Sequence, residues 1–354
     1  MSKYQAGMRV SEYVLEKCIG AGTFGEVWSA RHHVWENDHV AVKLPTEPEY
    51  VRYLQREGIV VHGLRHANII RVLGFDPFAE NPYLILELVL GPSLRQVIDE
   101  HDKGLPVEAV VCVLRGLLRA MDVAHTAGVL HRDLKPGNVL LNLGDRPLSA
   151  LVVDDVKIGD FGLGVKSAED LRSIAQSASL AREDQLVGTL AYMAPELRDG
   201  QLKPDPRSDL YSVGVVLFEM LTGDRPAGTE LPSTIRADAP AALDEVFRGL
   251  YARHDRRYES ARAVLDDLEL RLAAVKPTRA VPLTMPQRGV GAGAASGARL
   301  CPACQHPVAP GDQFCTQCRQ QLVPRVRRCP SCAAYPAAHD HFCIFCGAAL
   351  AAEE

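Results

Sequence analysis

The sequence predicts an α+β chain of two lobes, a β-rich small lobe and then a helical large lobe, followed by small four-cysteine units. Three observations point there. Strand-like runs crowd the first ninety residues, among them Tyr13 to Cys18, Val40 to Leu44 and Pro82 to Val89. Long helical stretches follow: Val107 to Thr126 carries one apolar stripe, and Asp209 to Leu221 is apolar nearly all round. Finally, residues 301 to 354 hold eight of the ten cysteines, all in Cys-x-x-Cys pairs.

With 354 residues the chain is long enough for two or three domains and a sizeable core. At 47% hydrophobic, 23% charged and a net charge of -5, it reads as an ordinary soluble protein with no call for a polyanionic partner. No charged n-region with an apolar core opens it, and no run of about 18 apolar residues occurs, so a cytoplasmic protein without a membrane span is expected. Cys18 and Cys112 sit among apolar neighbours and are expected as buried, inert thiols.

In chain order, Ile19 to Val27 comes first. Glycines at 20, 22 and 25 let a hairpin lie close over phosphates. A dinucleotide fold would begin a helix directly after such glycines, whereas Glu26-Val-Trp-Ser-Ala-Arg continues as strand. Lys43 lies in the next strand. After Pro48, a helix carries Val51, Leu54, Val61 and Leu64 on one side, and Glu57 shares that apolar side. A buried carboxylate needs a partner, and Lys43 is the natural one. Gly58 weakens this helix by about 1 kcal/mol relative to alanine and hints that it can move. The strand from Pro82 ends at Gly91-Pro92. The helix from Val107 to Thr126, with Val110, Leu114, Leu117, Leu118, Met121 and His125 on its stripe, is stopped by Gly128.

That helix delivers the chain to Leu130-His-Arg-Asp-Leu-Lys-Pro-Gly-Asn138. Asp133 can accept a hydroxyl proton, Lys135 can neutralise phosphoryl charge, and Asn138 can hold magnesium, which together make a phosphoryl-transfer set. His131 is expected to pack structurally. Asn142 to Asp155 reads as a surface insertion, and Val156-Lys-Ile-Gly-Asp-Phe-Gly162 then offers Asp160 as a second magnesium ligand.

These motifs occur in the order found in protein kinases, which the chain resembles over residues 11 to 272. The resemblance implies a two-lobed kinase fold binding ATP with Mg2+. Asp133 and Lys135 would be catalytic, and Asn138 and Asp160 would bind the metal. Ile19, Gly20, Gly22, Gly25, Val27, Ala41, Lys43, Glu57, Glu87, Val89 and Leu140 would bind ATP, with Leu86 as gatekeeper and the Glu87 and Val89 backbone at the adenine edge. Phe161 would pack beneath the Glu57 helix, Asp209 would tie down the catalytic loop, and Glu196 would pair with Arg257. Lys135 and Gly188-Thr189 resemble the serine/threonine branch. Arg132 would pair with a phosphate on Ser167, Ser173, Ser177 or Ser179 and order the activation segment. One departure stands out: between Gly223 and Ala242 there is little room for the family's usual substrate-docking helix.

Residues 273 to 300, rich in Pro, Gly, Ala and Ser, read as a flexible linker. Beyond it, Cys301, Cys304, Cys315 and Cys318 repeat 28 residues later as Cys329, Cys332, Cys343 and Cys346. Two Cys-x-x-Cys pairs make a closed tetrahedral site, so residues 301 to 350 are expected to hold two structural Zn2+ ions and resemble a double zinc ribbon. Disulfides fit the repeat and compartment less well. His306, His339 and His341 are expected as loop residues beside eight matched cysteines. Four arginines against four carboxylates, with about -2 added per zinc site, favour a protein partner over nucleic acid for the ribbons.

The expected function is transfer of the γ-phosphate of Mg-ATP to Ser/Thr of protein substrates, itself included. A nucleotide-binding scaffold is the rival; such relatives usually lack a lysine, base or metal aspartate, and this chain has all three.

Overall fold

Strand burial sets how the N-terminal part folds. The computed structural model describes residues 3–22, 25–47, 50–161, 190–274, 299–304, 306–308, 315 and 320–322. It divides into two units, Met1–Arg279 and Ala280–Glu354. In the first, β1 (Arg9–Val10), β2 (Tyr13–Gly22), β3 (Gly25–His32), β4 (His39–Leu44), β5 (Val72–Asp76) and β6 (Tyr83–Glu87) form one antiparallel sheet in the order β1-β2-β3-β4-β6-β5. On β4 successive side chains point to opposite faces. Val40, Val42 and Leu44 join Leu15, Trp28 and Ile85 in one apolar cluster, whereas Ala41 joins Leu54, Leu84 and Leu86 in another. Lys43 therefore faces α1 (Val51–His62), the helix that carries Glu57.

Two glycines show why no side chain fits. A Cβ on Gly25 would stand 2.2 Å from the Leu44 carbonyl oxygen. One on Gly58 would stand 3.1 Å from the Phe75 ring, so that glycine lets α1 press onto β5, a packing reason beside the expected mobility. Cys18 corrects an expectation: it is exposed, not buried. The β2–β3 register shifts between Leu15 and Lys17 and again between Cys18 and Gly20, so apolar neighbours in sequence do not share an inward face. Cys112 is buried as expected, with Sγ 3.6 Å from the Leu151 oxygen.

The large lobe is built from α2 (Leu94–Asp99), α3 (Val107–Thr126), α4 (Pro195–Arg198), α5 (Pro206–Thr222), α6 (Pro232–Ile235), α7 (Ala241–Leu250) and α8 (Ala261–Ala274). Asp205 caps the start of α5 by accepting from the Ser208 amide, and Gly223 at φ 85° ends it. Between its ends α5 is buried on every side, as its unbroken apolar run requires. The connection from Gly223 to Ala241 holds only the four-residue α6. A short hairpin, β7 (Val139–Leu141) with β8 (Val156–Ile158), lies against the small lobe through Ile70, whose amide donates to Ile158 at 2.9 Å. The excursion between those strands is folded: Arg146 pairs with Asp155 at 2.7 Å, and 3-10 turns occupy Leu148–Ala150 and Val153–Asp155.

In the second unit, β9 (Arg299–Leu300) pairs antiparallel with β10 (Pro307–Val308). The Cys301 amide donates to His306 O at 2.9 Å and the Cys315 amide to Gln320 O at 2.8 Å, so each cysteine amide reaches the carbonyl five residues on.

Candidate active site

The site assembles from two groups of side chains joined through the backbone. In the first, the Lys43 ammonium stands 2.6 Å from Glu57 Oε2 and 2.6 Å from Asp160 Oδ1. Lys43 and Glu57 are both buried, so neither charge could persist there alone. Burial opposes the charge on Lys43, but the two carboxylates outweigh it and raise its pKa. Burial also pushes the Glu57 carboxyl up, to about 7. Lys43 opposes this rise, and the nearby charge of Asp160 adds to it. At Asp160 burial acts upward as well, yet Lys43 prevails and holds that carboxyl below its ordinary value.

In the second group, Asp133 accepts from Lys135 Nζ at 2.9 Å, and Asn138 Nδ2 donates to the Asp133 carbonyl oxygen at 2.7 Å. The turn that brings these residues together is the Pro136–Asn138 3-10 turn. The groups connect at Gly159, whose amide donates to Asn138 O at 3.0 Å and whose carbonyl lies 3.0 Å from His131 Nε2. His131 is fully buried, which lowers its pKa, and its ring lies 4.6 Å from that of Phe161. Phe161 itself is buried in the same apolar cluster as Val61 and Leu64.

Two residues at this junction, Arg132 (φ 68°) and Asp160 (φ 60°), adopt left-handed backbone that disfavours side chains. Asp209 shows what holds the first. Its carboxylate accepts from the His131 amide at 2.9 Å, the Arg132 amide at 2.8 Å and His125 Nε2 at 2.8 Å. Burial works against this carboxylate, but the donors outweigh it and lower its pKa. The part played by His125 was not read from sequence. A histidine on an apolar stripe needs a buried partner, and that was the available signal.

The remaining candidates lie on or next to β2, β3, β4, β6 and β7. Val27, Val89 and Leu140 are half-buried and pack around Ala41, Leu84 and Leu86. Ile19 is exposed at the edge, on the strand that carries Gly20 and Gly22. Glu87 ends β6, with its amide donating to Arg71 O at 3.0 Å. Ser167, Ser173, Ser177, Ser179, Gly162, Gly188 and Thr189 lie outside the described residues.

Asn138 turns its amide nitrogen to Asp133, which leaves its oxygen as the ligand atom, and Asp160 adds a carboxylate. Hard oxygen donors of this kind suit magnesium. In the second unit, Cys301, Cys304 and Cys315 bring their sulfurs within 4.8 Å of one another, with Cys304 and Cys315 3.6 Å apart. Tetrahedral thiolates at about 2.3 Å from zinc stand roughly 3.8 Å apart, so the set fits that ion and is far too open for a disulfide. Cys318, Cys329, Cys332, Cys343 and Cys346 lie outside the described residues.

The family described as "Protein kinase domain" matches residues 13–275, and "Double zinc ribbon" matches residues 301–347. The serine/threonine-protein kinase PknL of Mycobacterium tuberculosis is 33% identical over 240 residues, covering 63% of this chain and 55% of its own. Pkn1 of Myxococcus xanthus, also named a serine/threonine-protein kinase, is 32% identical over 292 residues, covering 75% and 39%. The chain thus spans between about two fifths and just over half of these relatives' lengths. The crystal structure of the M. tuberculosis PknI kinase domain superposes with a TM-score of 0.57 at 25% identity, covering 76% of this chain and 99% of that one. None of the described helices is long and apolar enough to cross a membrane. A matched kinase domain over most of the chain and a matched ribbon behind it make this protein a member of the protein kinase family with a C-terminal double zinc ribbon.

Proposed function

We propose that the chain moves the γ-phosphoryl group of Mg-ATP to serine or threonine hydroxyls of protein substrates, itself included. The observation that carries this reading is the Lys43 ammonium shared at 2.6 Å by Glu57 and Asp160, a buried cation aimed by one carboxylate and tied to the other. Asp133 accepts the proton of the attacking hydroxyl. Lys135, 2.9 Å from it, balances charge gathering on the transferred group. Asn138 and Asp160 would hold the magnesium ion, which neutralises phosphate charge when bound. Val27, Ala41, Val89 and Leu140 enclose the adenine, the Glu87 and Val89 backbone meets its edge, and Ile19, Gly20, Gly22 and Gly25 cover the phosphates.

Arg132 is the receptor for an activating phosphate in the segment holding Ser167 to Ser179. Its Nε is buried and has no hydrogen-bond partner among the described residues, which supports a role for an added anion. The kinase domain extends over residues 11 to 272 and a linker over 273 to 300. The ribbons at 301 to 350 hold two zinc ions and recognise a protein partner. Four-thiolate zinc suits a reducing cytoplasm.

The test is transfer of labelled phosphate from ATP to a generic protein and to the chain itself. Wild type should label both, and Asp133→Asn should lose roughly a hundredfold or more in rate. A folded, zinc-replete wild type that binds ATP yet labels nothing overturns the reading in favour of a scaffold.

A further inference from the structure

The excursion from Asn142 to Asp155 grips the connection between the lobes. Its first residue accepts a hydrogen bond at Oδ1 from the Leu90 amide at 3.1 Å. Two residues on, the Gly144 amide donates to the Leu90 carbonyl at 2.6 Å, so both backbone polar groups of Leu90 are held by the excursion. The contact continues along the chain. Leu141 N donates to Pro92 O at 2.9 Å, Ser93 bridges to Leu140, and a Cβ on Gly91 would stand 2.1 Å from Leu141 O.

A second grip lies at the other end of the excursion. Lys157 pairs across the β7–β8 hairpin with Leu140, which puts both side chains on one face. From there Lys157 Nζ reaches both carboxylate oxygens of Glu87, at 3.2 and 3.3 Å. Glu87 Oε1 also accepts from the Arg71 amide at 2.9 Å. The excursion keeps its own shape through Arg146, which bonds Asn142 O and Asp155 Oδ1, each at 2.7 Å. Glu87 and Leu90, the two ends of this stretch, are thus both pinned, one by its carboxylate and the other by its backbone.

We propose that Asn142 and Lys157 are positioning residues for the nucleobase, fixing the Glu87–Val89 backbone at the spacing that reads the edge of adenine. This role rests on the proposed ATP site. It assigns a purpose to a segment that otherwise looks like a surface insertion.

The experiment compares wild type with Asn142→Ala, Asn142→Asp, Lys157→Met and Lys157→Arg in the full chain. It reads kcat, the KM for ATP, and the dissociation constants of ATP and GTP by calorimetry. Losing one hydrogen bond of this kind should raise the ATP KM about two- to tenfold. In Asn142→Ala and Lys157→Met the preference for ATP over GTP should shrink by a similar factor while kcat stays within about twofold. Asn142→Asp, which keeps an oxygen acceptor, and Lys157→Arg, which keeps the charge, should stay near wild type. A purely structural role would lower the melting temperature and leave the ATP-to-GTP ratio alone; that result overturns the proposal, as does a fall in kcat at constant KM. Should Asn142→Ala fail to fold, the Lys157 pair decides the matter. A wild type that binds no ATP removes the proposed function and this role together, whereas a wild type that binds ATP beside variants with unchanged preference removes this role alone.

Discussion

Arg257 and Glu196 pair inside the large lobe, with Nη1 2.7 Å from Oε1 and both side chains closed to solvent. The same guanidinium donates to Arg207 O and Ala252 O, so its donors are spent on fixed acceptors. Removing one partner of such a pair strands a buried charge. Arg257→Ala should therefore cost about 3–5 kcal/mol. The exposed pair of Arg248 and Glu245 supplies the control, and Arg248→Ala should cost no more than about 1 kcal/mol. Urea unfolding midpoints measure both, and equal losses for the two variants would contradict the distinction.

Asp209 holds the loop that leads to Asp133 by the amides of His131 and Arg132, so under the proposed function its replacement should act on turnover. Asp209→Ala leaves the His131 and Arg132 amides and His125 Nε2 without their acceptor and releases the left-handed backbone at Arg132. A loss of about 1–3 kcal/mol per buried donor, even if only part of it reaches the transition state, lowers kcat tenfold or more. ATP affinity, which under the proposed function rests mainly on small-lobe residues, should change much less. Steady-state kinetics beside ATP calorimetry separates the two, and a parallel loss of both would mean general unfolding.

Glu57 predicts a pH dependence with opposite signs for activity and stability. Its carboxyl is raised from 4.5 to about 7, so between those values the folded chain binds more protons than the unfolded one. The stability it contributes is therefore complete below pH 4.5 and is lost as pH rises through about 7. Under the proposed function activity needs the carboxylate beside Lys43 and should fall as pH drops below about 7. A profile of kcat/KM for ATP should show this acid limb in wild type, and Glu57→Gln should be slower but lack it. Persistence of the limb in Glu57→Gln would assign it to another group.

Zinc should govern the tail alone. A structural site contributes on the order of 10 kcal/mol to a unit this small. Cys301→Ser or Cys315→Ser should therefore reduce bound metal from two ions per chain to one, by elemental analysis. Phosphotransfer to a generic protein should survive, because the residues proposed for catalysis and nucleotide binding all belong to the first unit. Full metal content in either variant would remove these cysteines from the ligand set.

Much of this architecture was legible before any coordinates, for reasons that can be named. Glu57 on an apolar helix face demanded a cation, and Lys43 supplies it. The helices from 107 and from 209 showed themselves through an apolar stripe and an apolar cylinder. The catalytic, metal and nucleotide roles came mainly from motif order, by resemblance. What escaped were features made by register and by backbone. Cys18 looks buried among its neighbours, but two register shifts in β2 turn it outward. Asn142 and Lys157 look like any loop amide and strand lysine, since a hydrogen bond to a distant main chain leaves no periodic mark. The Asp209 carboxylate was expected at the catalytic loop, yet nothing in the spacing disclosed that His125 would reach it as well.

The ammonium of Lys43 couples two parts of the chain that sequence keeps 117 residues apart. Because one nitrogen serves both α1 and the residue after Gly159, sideways travel of that helix would drag on the carboxylate at 160 before any nucleotide is touched. A compound or protein that merely leans on the outer flank of α1 could thus silence the enzyme from a distance, leaving every reacting group intact and out of alignment.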